Sequence, residues 1–360
     1  MKNLKIIFSD KPVVLILALI CVTACQHSTD QKEIVLEDIL SVTPKQLKNF
    51  DHIEDLYYSY LGINSFPLQD GDFVLAVWDP SHLVIVDSSG TELKGKTSTG
   101  KGPGELQDVG RPVLNAGGTF NVFDQFQQKV VSFNSELEVI NEYRPTAYPE
   151  YRAYRIYTGS SDNVLIEMNS SLSTGRVKRL VQYNTEEEKY GKFIELNSKP
   201  YAPILGGGMA VPFSDDQFII SNFKTGSVFL FDTSTNLIAE VNAALDTIRV
   251  INVNLPKQKL SQAEKDTLRK NLGEEDWKAV ESYLPEYKAT ADKMIFGNEH
   301  FWLQSNLEDD YSLWFVLNME GEIVKQVKLP KESYLTHVSE YNLGVRLDEV
   351  TFALYEPVEL

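Results

Sequence analysis

A repeat of about fifty residues is the feature that most restricts how this chain can fold. A short run rich in Val, Ile, Phe, Tyr and Trp, ending in Asp or Asn, recurs at residues 82–87, 129–134, 179–184, 227–232 and 312–318. The terminal Asp or Asn falls at 87, 134, 184, 232 and 318, so three steps measure 47, 50 and 48 residues and the fourth measures 86. Each run follows a partner strand (73–79, 119–124, 163–169, 217–222, 300–306) and precedes a tight turn such as Ser88-Ser89-Gly90 or Met319-Glu320-Gly321. β-Branched and aromatic residues flanking turns specify antiparallel strands, and third strands such as 139–143 and 323–329 extend each unit into a meander. With the approach segment as a fourth strand, the pattern predicts an all-β fold: a six-bladed β-propeller of four-stranded antiparallel blades over residues 33–360.

The long step has a local cause. Ser261 and Glu264 make a capping-box pattern, Gly273 stops the helix, and residues 274–284 carry Trp277, Val280 and Leu284 at helical spacing before Pro285. A helical insertion over 257–288, between blades four and five, is therefore expected. The last repeat has only three strands, 334–342, 343–348 and 350–356. Residues 33–40 (EIVLEDIL) alternate apolar and acidic side chains, and are expected to pair with 350–356 as the closing strand of the ring. Thr43-Pro44-Lys45-Gln46 reads as the start of a short helix. A parallel α/β fold would need a helix between successive strands, and a sandwich would not explain such even steps.

Residues 1–24 read as an export signal. Lys2, Lys5 and Lys11 precede a twelve-residue uncharged run at 13–24, which is too short to span a bilayer. The run ends in Val22-Thr23-Ala24-Cys25, which resembles a bacterial lipobox; on that reading Cys25 becomes a lipid-modified N-terminus and residues 25–32 form a tether. The other reading is an ordinary cleaved signal with an incidental cysteine. The two cysteines are Cys21, inside the signal, and Cys25, so the mature chain can form no internal disulfide. Acidic side chains outnumber basic ones 51 to 34, for a net charge of -17, and such a field repels duplexes and anionic surfaces. Nucleic acid is not an expected partner.

The loop Gly100-Lys101-Gly102-Pro103-Gly104-Glu105-Leu106, taken with the lipobox and the repeats, resembles the six-bladed, TolB-like propeller lipoproteins of Gram-negative bacteria. That family often carries a G-x-G-P-G-E stretch between its first two blades. The resemblance spans nearly the whole mature chain, with the hexapeptide as its specific element. It implies a propeller fold and an envelope address, and no settled enzymatic activity. Residues 95–102 nearly spell a phosphate-binding loop, but Gly102 replaces the needed hydroxyl and Pro103-Gly104 stand where a helix should begin. Lys101 and Glu105 are carried as ligand-binding candidates, against the plainer reading that this loop is a tight crossing held by local hydrogen bonds.

No motif marks a catalytic centre. His52, His82, His300 and His337 are scattered, no G-x-S-x-G occurs, and Asp70-Gly71-Asp72, Asp215-Asp216 and Asp309-Asp310 are too short for a calcium loop. No cofactor and no metal is implied, and no catalytic residue is assigned. The densest chemistry lies at 143–157, where five tyrosines and three arginines fall together. Tyr148, Tyr151, Arg152 and Arg155 are the candidate ligand contacts, since Tyr and Arg supply rigid area and bidentate donors; packing between blades is the alternative. The expected function is a membrane-tethered binding or scaffold module for a peptide, glycan or envelope protein, and more a binder than an enzyme. The alternative is a saccharide-directed hydrolase or lyase with an acidic or metal site on the propeller axis, and a purely structural envelope subunit is the third reading.

Overall fold

A computed structural model describes residues 36, 39–50, 52–53, 56–57, 61–68, 71–78, 81–110, 112–115, 118–160, 163–170, 177–205, 207–307 and 309–360. The export segment, Cys25, the tether and residues 33–35 lie outside them. The chain from Leu36 to Leu360 is a six-bladed β-propeller. From the inside outward, blade one runs Leu61–Pro67, Phe73–Trp78, Ser81–Val86 and Leu93–Lys96. Blade two runs Val113–Leu114, Phe120–Asp124, Lys129–Phe133 and Val139–Tyr143, and blade three runs Tyr151–Ser160, Asn163–Ser170, Lys178–Asn184 and Lys189–Leu196. Blade four comprises Gln217–Asn222, Ser227–Asp232, Leu237–Val241 and Thr247–Asn252. Blade five comprises Ala291–Gly297, His300–Ser305, Ser312–Leu317 and Ile323–Leu329.

The repeat works because a strand sends alternate side chains to opposite faces. In the central strands of a propeller both faces are covered by neighbouring blades, so both parities are apolar. Phe73, Leu75 and Val77 of blade one pack with Phe352 and Leu354 of blade six, while Val74 and Ala76 pack with Phe120, Val122 and Val131 of blade two. Phe229 and Phe231 of blade four face Phe301 and Phe315 of blade five; Val228 and Leu230 turn the other way, toward Leu165 and Leu180 of blade three. Every joint thus has its own apolar core, and each fully buried Phe or Leu contributes about 1.5–3 kcal/mol. Ion pairs add to the joints, as with Lys178 and Asp216 at 2.7 Å and Lys224 and Glu299 at 2.8 Å.

Blade six corrects the expected closure. Its chain-end strands are Tyr334–Val338, Leu343–Arg346 and Phe352–Tyr355, and its fourth strand is Gln46–Phe50, antiparallel to Phe352–Tyr355 with Gln46 opposite Tyr355. Gln46–Phe50 thus takes the place expected for residues 33–40. Their described members lie along blade five instead: the Leu36 and Leu40 carbonyls accept from Gln326 Nε2 and N at 2.7 and 3.0 Å. Ser41–Val42 then adds a parallel fifth strand beside Gln326 and Val327. The expected short helix at Thr43–Gln46 is also absent, because the Lys45 carbonyl accepts from Glu356 N and draws the backbone into the sheet. Alternation of side chains marks a strand but does not name its partner, and two such segments compete near this end of the chain.

The insertion takes the expected form between blades four and five. Helix α1, Gln262–Leu272, has the Ser261–Glu264 capping box, and helix α2, Glu274–Glu281, buries Trp277 and Val280. Val280 packs with Ala202 and Val211 beside the hairpin Tyr201–Ile204 and Gly207–Ala210. Lys288, only 2% exposed, reaches back to Glu264 at 2.7 Å and pins the first helix to the propeller. Removing residues 1–50 should lower the melting temperature by more than about 5 °C and expose the amides of Phe352–Tyr355 to hydrogen exchange. Lys48→Ala, which breaks only the Nζ bond to Gly90 O at 2.9 Å, should cost no more than about 1.5 kcal/mol.

Candidate functional site

A cavity of about 610 Å³ lies on the propeller axis. All six inner strands contribute to its wall, through residues such as Ser65, Val113, Tyr157, Ile219, Met294 and Thr336. It reaches the face formed by the turns that follow the inner strands, where Leu68, Asn115, Phe223, Asn298 and Tyr341 border it. Most of the wall is apolar, with Phe66, Ile220 and Phe296 among its larger side chains. Glu340 is its one carboxylate and Lys224 and Lys293 its cations, among the described residues. No group of three or more His, Cys, Asp or Glu able to hold a metal occurs among the described residues.

The polar feature of the wall lies where blade six meets blade one. Ser65 Oγ, on the inner strand of blade one, is 2.6 Å from both Thr336 Oγ1 and His337 Nδ1 on the inner strand of blade six. His337 Nε2 is 2.9 Å from Asn342 Oδ1. Asn342 is held in turn by the tight turn 339–342, in which Ser339 Oγ accepts from Asn342 N and donates to Asn342 O, both at 3.0 Å. Ser and Asn favour such turns because their short side chains bond to the local backbone. Thr336 Oγ1 donates to Gly344 O at 2.8 Å.

Two features of this corner follow from its packing. Gly344 pairs with His337 across the hairpin, and a Cβ at 344 would stand 2.2 Å from the imidazole Cε1, so the ring occupies the space a side chain would need. The ring is also buried between Phe73 and Phe352, with centroids at 5.7 and 6.3 Å. Burial lowers its pKa from 6.5 to about 4, against the smaller opposing effect of the Asn342 bond. The imidazole is therefore neutral at pH 7. With Nε2–H donated to Asn342, Nδ1 keeps its lone pair and Ser65 Oγ–H can donate to it.

The residues singled out from sequence lie elsewhere, and none of Lys101, Glu105, Tyr148, Tyr151, Arg152 and Arg155 lines the axial cavity. The Gly100–Glu105 loop folds on itself: Glu105 Oε2 accepts from Gly102 N at 2.8 Å, and Gln127 Nε2 donates to Gly100 O and Glu105 O. The Lys129 ammonium, on a side chain with no exposure, donates to Gly102 O at 3.0 Å and pairs with Glu142. Gly104 has φ +73° with Val139 against it, so glycine is required there. Lys101 is exposed at the loop surface. Tyr148 and Tyr151 pack with Tyr190 and Tyr143 at the joint of blades two and three, and Arg179 lies between the Tyr151 and Phe193 rings at 4.5 and 4.2 Å. Arg152 donates to Gln125 O at 2.9 Å, and Arg155 lies over Tyr154 at 4.9 Å. Sequence reasoning missed Ser65, Thr336 and Asn342 and treated His337 as an isolated histidine. The legible signal was the turn chemistry of Ser339 and Asn342 beside His337.

No model of a known protein family matches the chain, and no curated protein matches it. Among solved structures it is similar to a member of the DUF4221 family from Bacteroides vulgatus, at 15% identity and TM-score 0.52, over 88% of this chain and 96% of that one. It is likewise similar to a Bacteroides fragilis protein described as exported, at 13% identity and TM-score 0.52, over 89% and 100% of the two chains. At these identities the likeness is one of fold: a six-bladed propeller. Virginiamycin B lyase from Staphylococcus aureus also matches, at 10% identity and TM-score 0.41 over 87% and 88%. One expectation is corrected here. The lack of a catalytic motif was the ground for expecting a binder rather than an enzyme. The cavity wall carries Ser65 beside His337, whose imidazole is bonded on its other side to Asn342, an arrangement that sequence spacing does not display, so the missing motif is no ground against catalysis.

Because unfolded histidine takes up a proton near pH 6.5 while folded His337 resists protonation until about 4, the unfolded state binds more protons between those values. Stability is fully present above about pH 6.5 and is lost as pH falls toward 4, by about 3 kcal/mol at most. Melting curves from pH 7 to 4 should show a steeper acid loss in the wild type than in His337→Gln; parallel curves would remove this role.

Proposed function

We propose that the axial cavity is a small-molecule site and that the protein acts on its guest as a hydrolase or lyase of the cell envelope. The observation that carries this reading is the single cluster of Ser65, Thr336 and His337 set into an otherwise mostly apolar wall. Small-molecule sites have this composition and a volume of roughly 300–1,000 Å³: apolar contacts supply affinity and a few polar groups orient the guest. A saccharide suits the wall poorly, since each sugar hydroxyl buried against Phe66, Ile220 or Phe296 would lose its hydrogen bonds to water. The guest favoured is a compact, largely apolar molecule with one polar group directed at Ser65.

The fluorescent dye 1-anilinonaphthalene-8-sulfonate tests the cavity. It should bind the folded protein one to one, and Ile220→Arg, which places a charged chain in the cavity, should weaken binding by at least about tenfold, or about 1.4 kcal/mol, with little change in melting temperature. Equal binding by both proteins would count against the site.

The address belongs to the same proposal. The chain is exported and held at the envelope by a lipid on Cys25; the support is the Val22-Thr23-Ala24-Cys25 sequence, the TolB-like G-x-G-P-G-E loop and the fold likeness to a protein described as exported. Cys25→Ala should move the protein from the membrane to the soluble fraction and abolish labelling by a radioactive fatty acid. Unchanged fractionation without a lipid label would refute the anchor.

A further inference from the structure

We propose that Ser65, His337 and Asn342 form a nucleophile, base and orienting acceptor that hydrolyse a compact ester, thioester or lactone held in the axial cavity. This inference rests on the small-molecule reading above and assigns the reaction and the substrate class.

The atoms stand in the order such chemistry needs. A serine hydroxyl is a weak nucleophile until an adjacent base takes its proton, and the base must be turned toward it by a third group. The Ser65 Oγ to His337 Nδ1 distance of 2.6 Å meets the first requirement, and the His337 Nε2 to Asn342 Oδ1 distance of 2.9 Å meets the second. With Nε2–H donated to Asn342, Nδ1 accepts the Ser65 proton, and the contact between Ser65 and Thr336 then takes its proton from Thr336 Oγ1, which shares it with Gly344 O. Ser65, Thr336 and His337 all border the cavity, at the inner-strand ends nearest its mouth. A clasp between blades six and one would need only the bond from Ser65 to Thr336. Here the imidazole is engaged through both nitrogens, and Gly344 is kept bare to seat it.

A positive charge stands on the same wall. Lys293 lines the cavity and its Nζ donates to Leu335 O at 2.7 Å, which places an ammonium beside the residue that precedes Thr336. Fixed charge near a developing oxyanion is worth more in a water-poor cavity than in solution.

The reaction balances with water as the only co-reactant. Ser65 Oγ adds to the substrate carbonyl carbon while its proton passes to His337 Nδ1, and the negative charge of the tetrahedral adduct falls on the former carbonyl oxygen. The bond to the leaving oxygen or sulfur then breaks, and Nδ1 returns the proton to that atom, leaving an ester on Ser65. Water attacks the ester with its proton going to Nδ1, and that proton returns to Ser65 Oγ as the acid departs. One ester and one water become one acid and one alcohol or thiol.

The test uses the intact mature protein with p-nitrophenyl butyrate, a fluorophosphonate and the dye named above. The expected result is release of p-nitrophenol, one fluorophosphonate adduct mapped by mass spectrometry to Ser65, and a drop in turnover of about 100-fold or more in Ser65→Ala and His337→Gln. Asn342→Ala should lower kcat with little change in KM and shift the pH profile, which a merely structural bond would not do. Should a variant unfold, the adduct map of the unaltered protein decides by itself. Dye bound in the cavity with no adduct on Ser65 overturns the acyl-transfer assignment and leaves the small-molecule reading standing. Failure of both dye and adduct overturns the two together, and an adduct on any other residue overturns the role of Ser65.

Discussion

The hydrogen bonds between Gln46–Phe50 and Phe352–Tyr355 join a strand from the start of the propeller to its last strand, and the rest of the structure depends on that join. Each blade alone is a sheet with two apolar faces, which is unstable in water unless a neighbour covers both. A closed ring covers every face; an open one leaves the faces of blades one and six exposed. Phe73, Leu75, Phe352 and Leu354 are buried only because those two blades meet. The parallel strand Ser41–Val42 on blade five anchors the same segment a second time, just before it enters blade six.

The candidate site is a product of that same closure. Ser65 belongs to blade one and His337 to blade six, so the 2.6 Å contact between them exists only in the closed ring. The joint between these two blades therefore carries apolar packing over most of its depth and a polar cluster at its inner edge, beside the axial cavity. The imidazole is neutral for the reason the joint is stable: phenylalanines surround it. One packing arrangement thus sets both the strength of the closure and the protonation state of the histidine.

Much of the fold was legible in the chain. Spacings of 47, 50 and 48 residues, strand-forming runs and a capped helical insertion are local properties, carried by neighbouring side chains and turns. Closure was misplaced because residues 33–40 and 46–50 both have strand character, and local alternation cannot choose between them. The glycine-rich loop and the tyrosine–arginine segment drew attention through composition. Their conspicuous residues are engaged with neighbouring backbone, rings and joints, as with Glu105 on Gly102 N and Arg152 on Gln125 O.

The sequence by itself determined the repeat, the blade count, the place of the helices and the net charge, because each depends on residues near one another in the chain. Tertiary structure alone decided which strand closes the ring and which side chains face the axis. Ser65 and His337 are 272 positions apart, and neither sits in a motif. No periodicity relates two such residues; only the circular stacking of blades brings the first inner strand against the last.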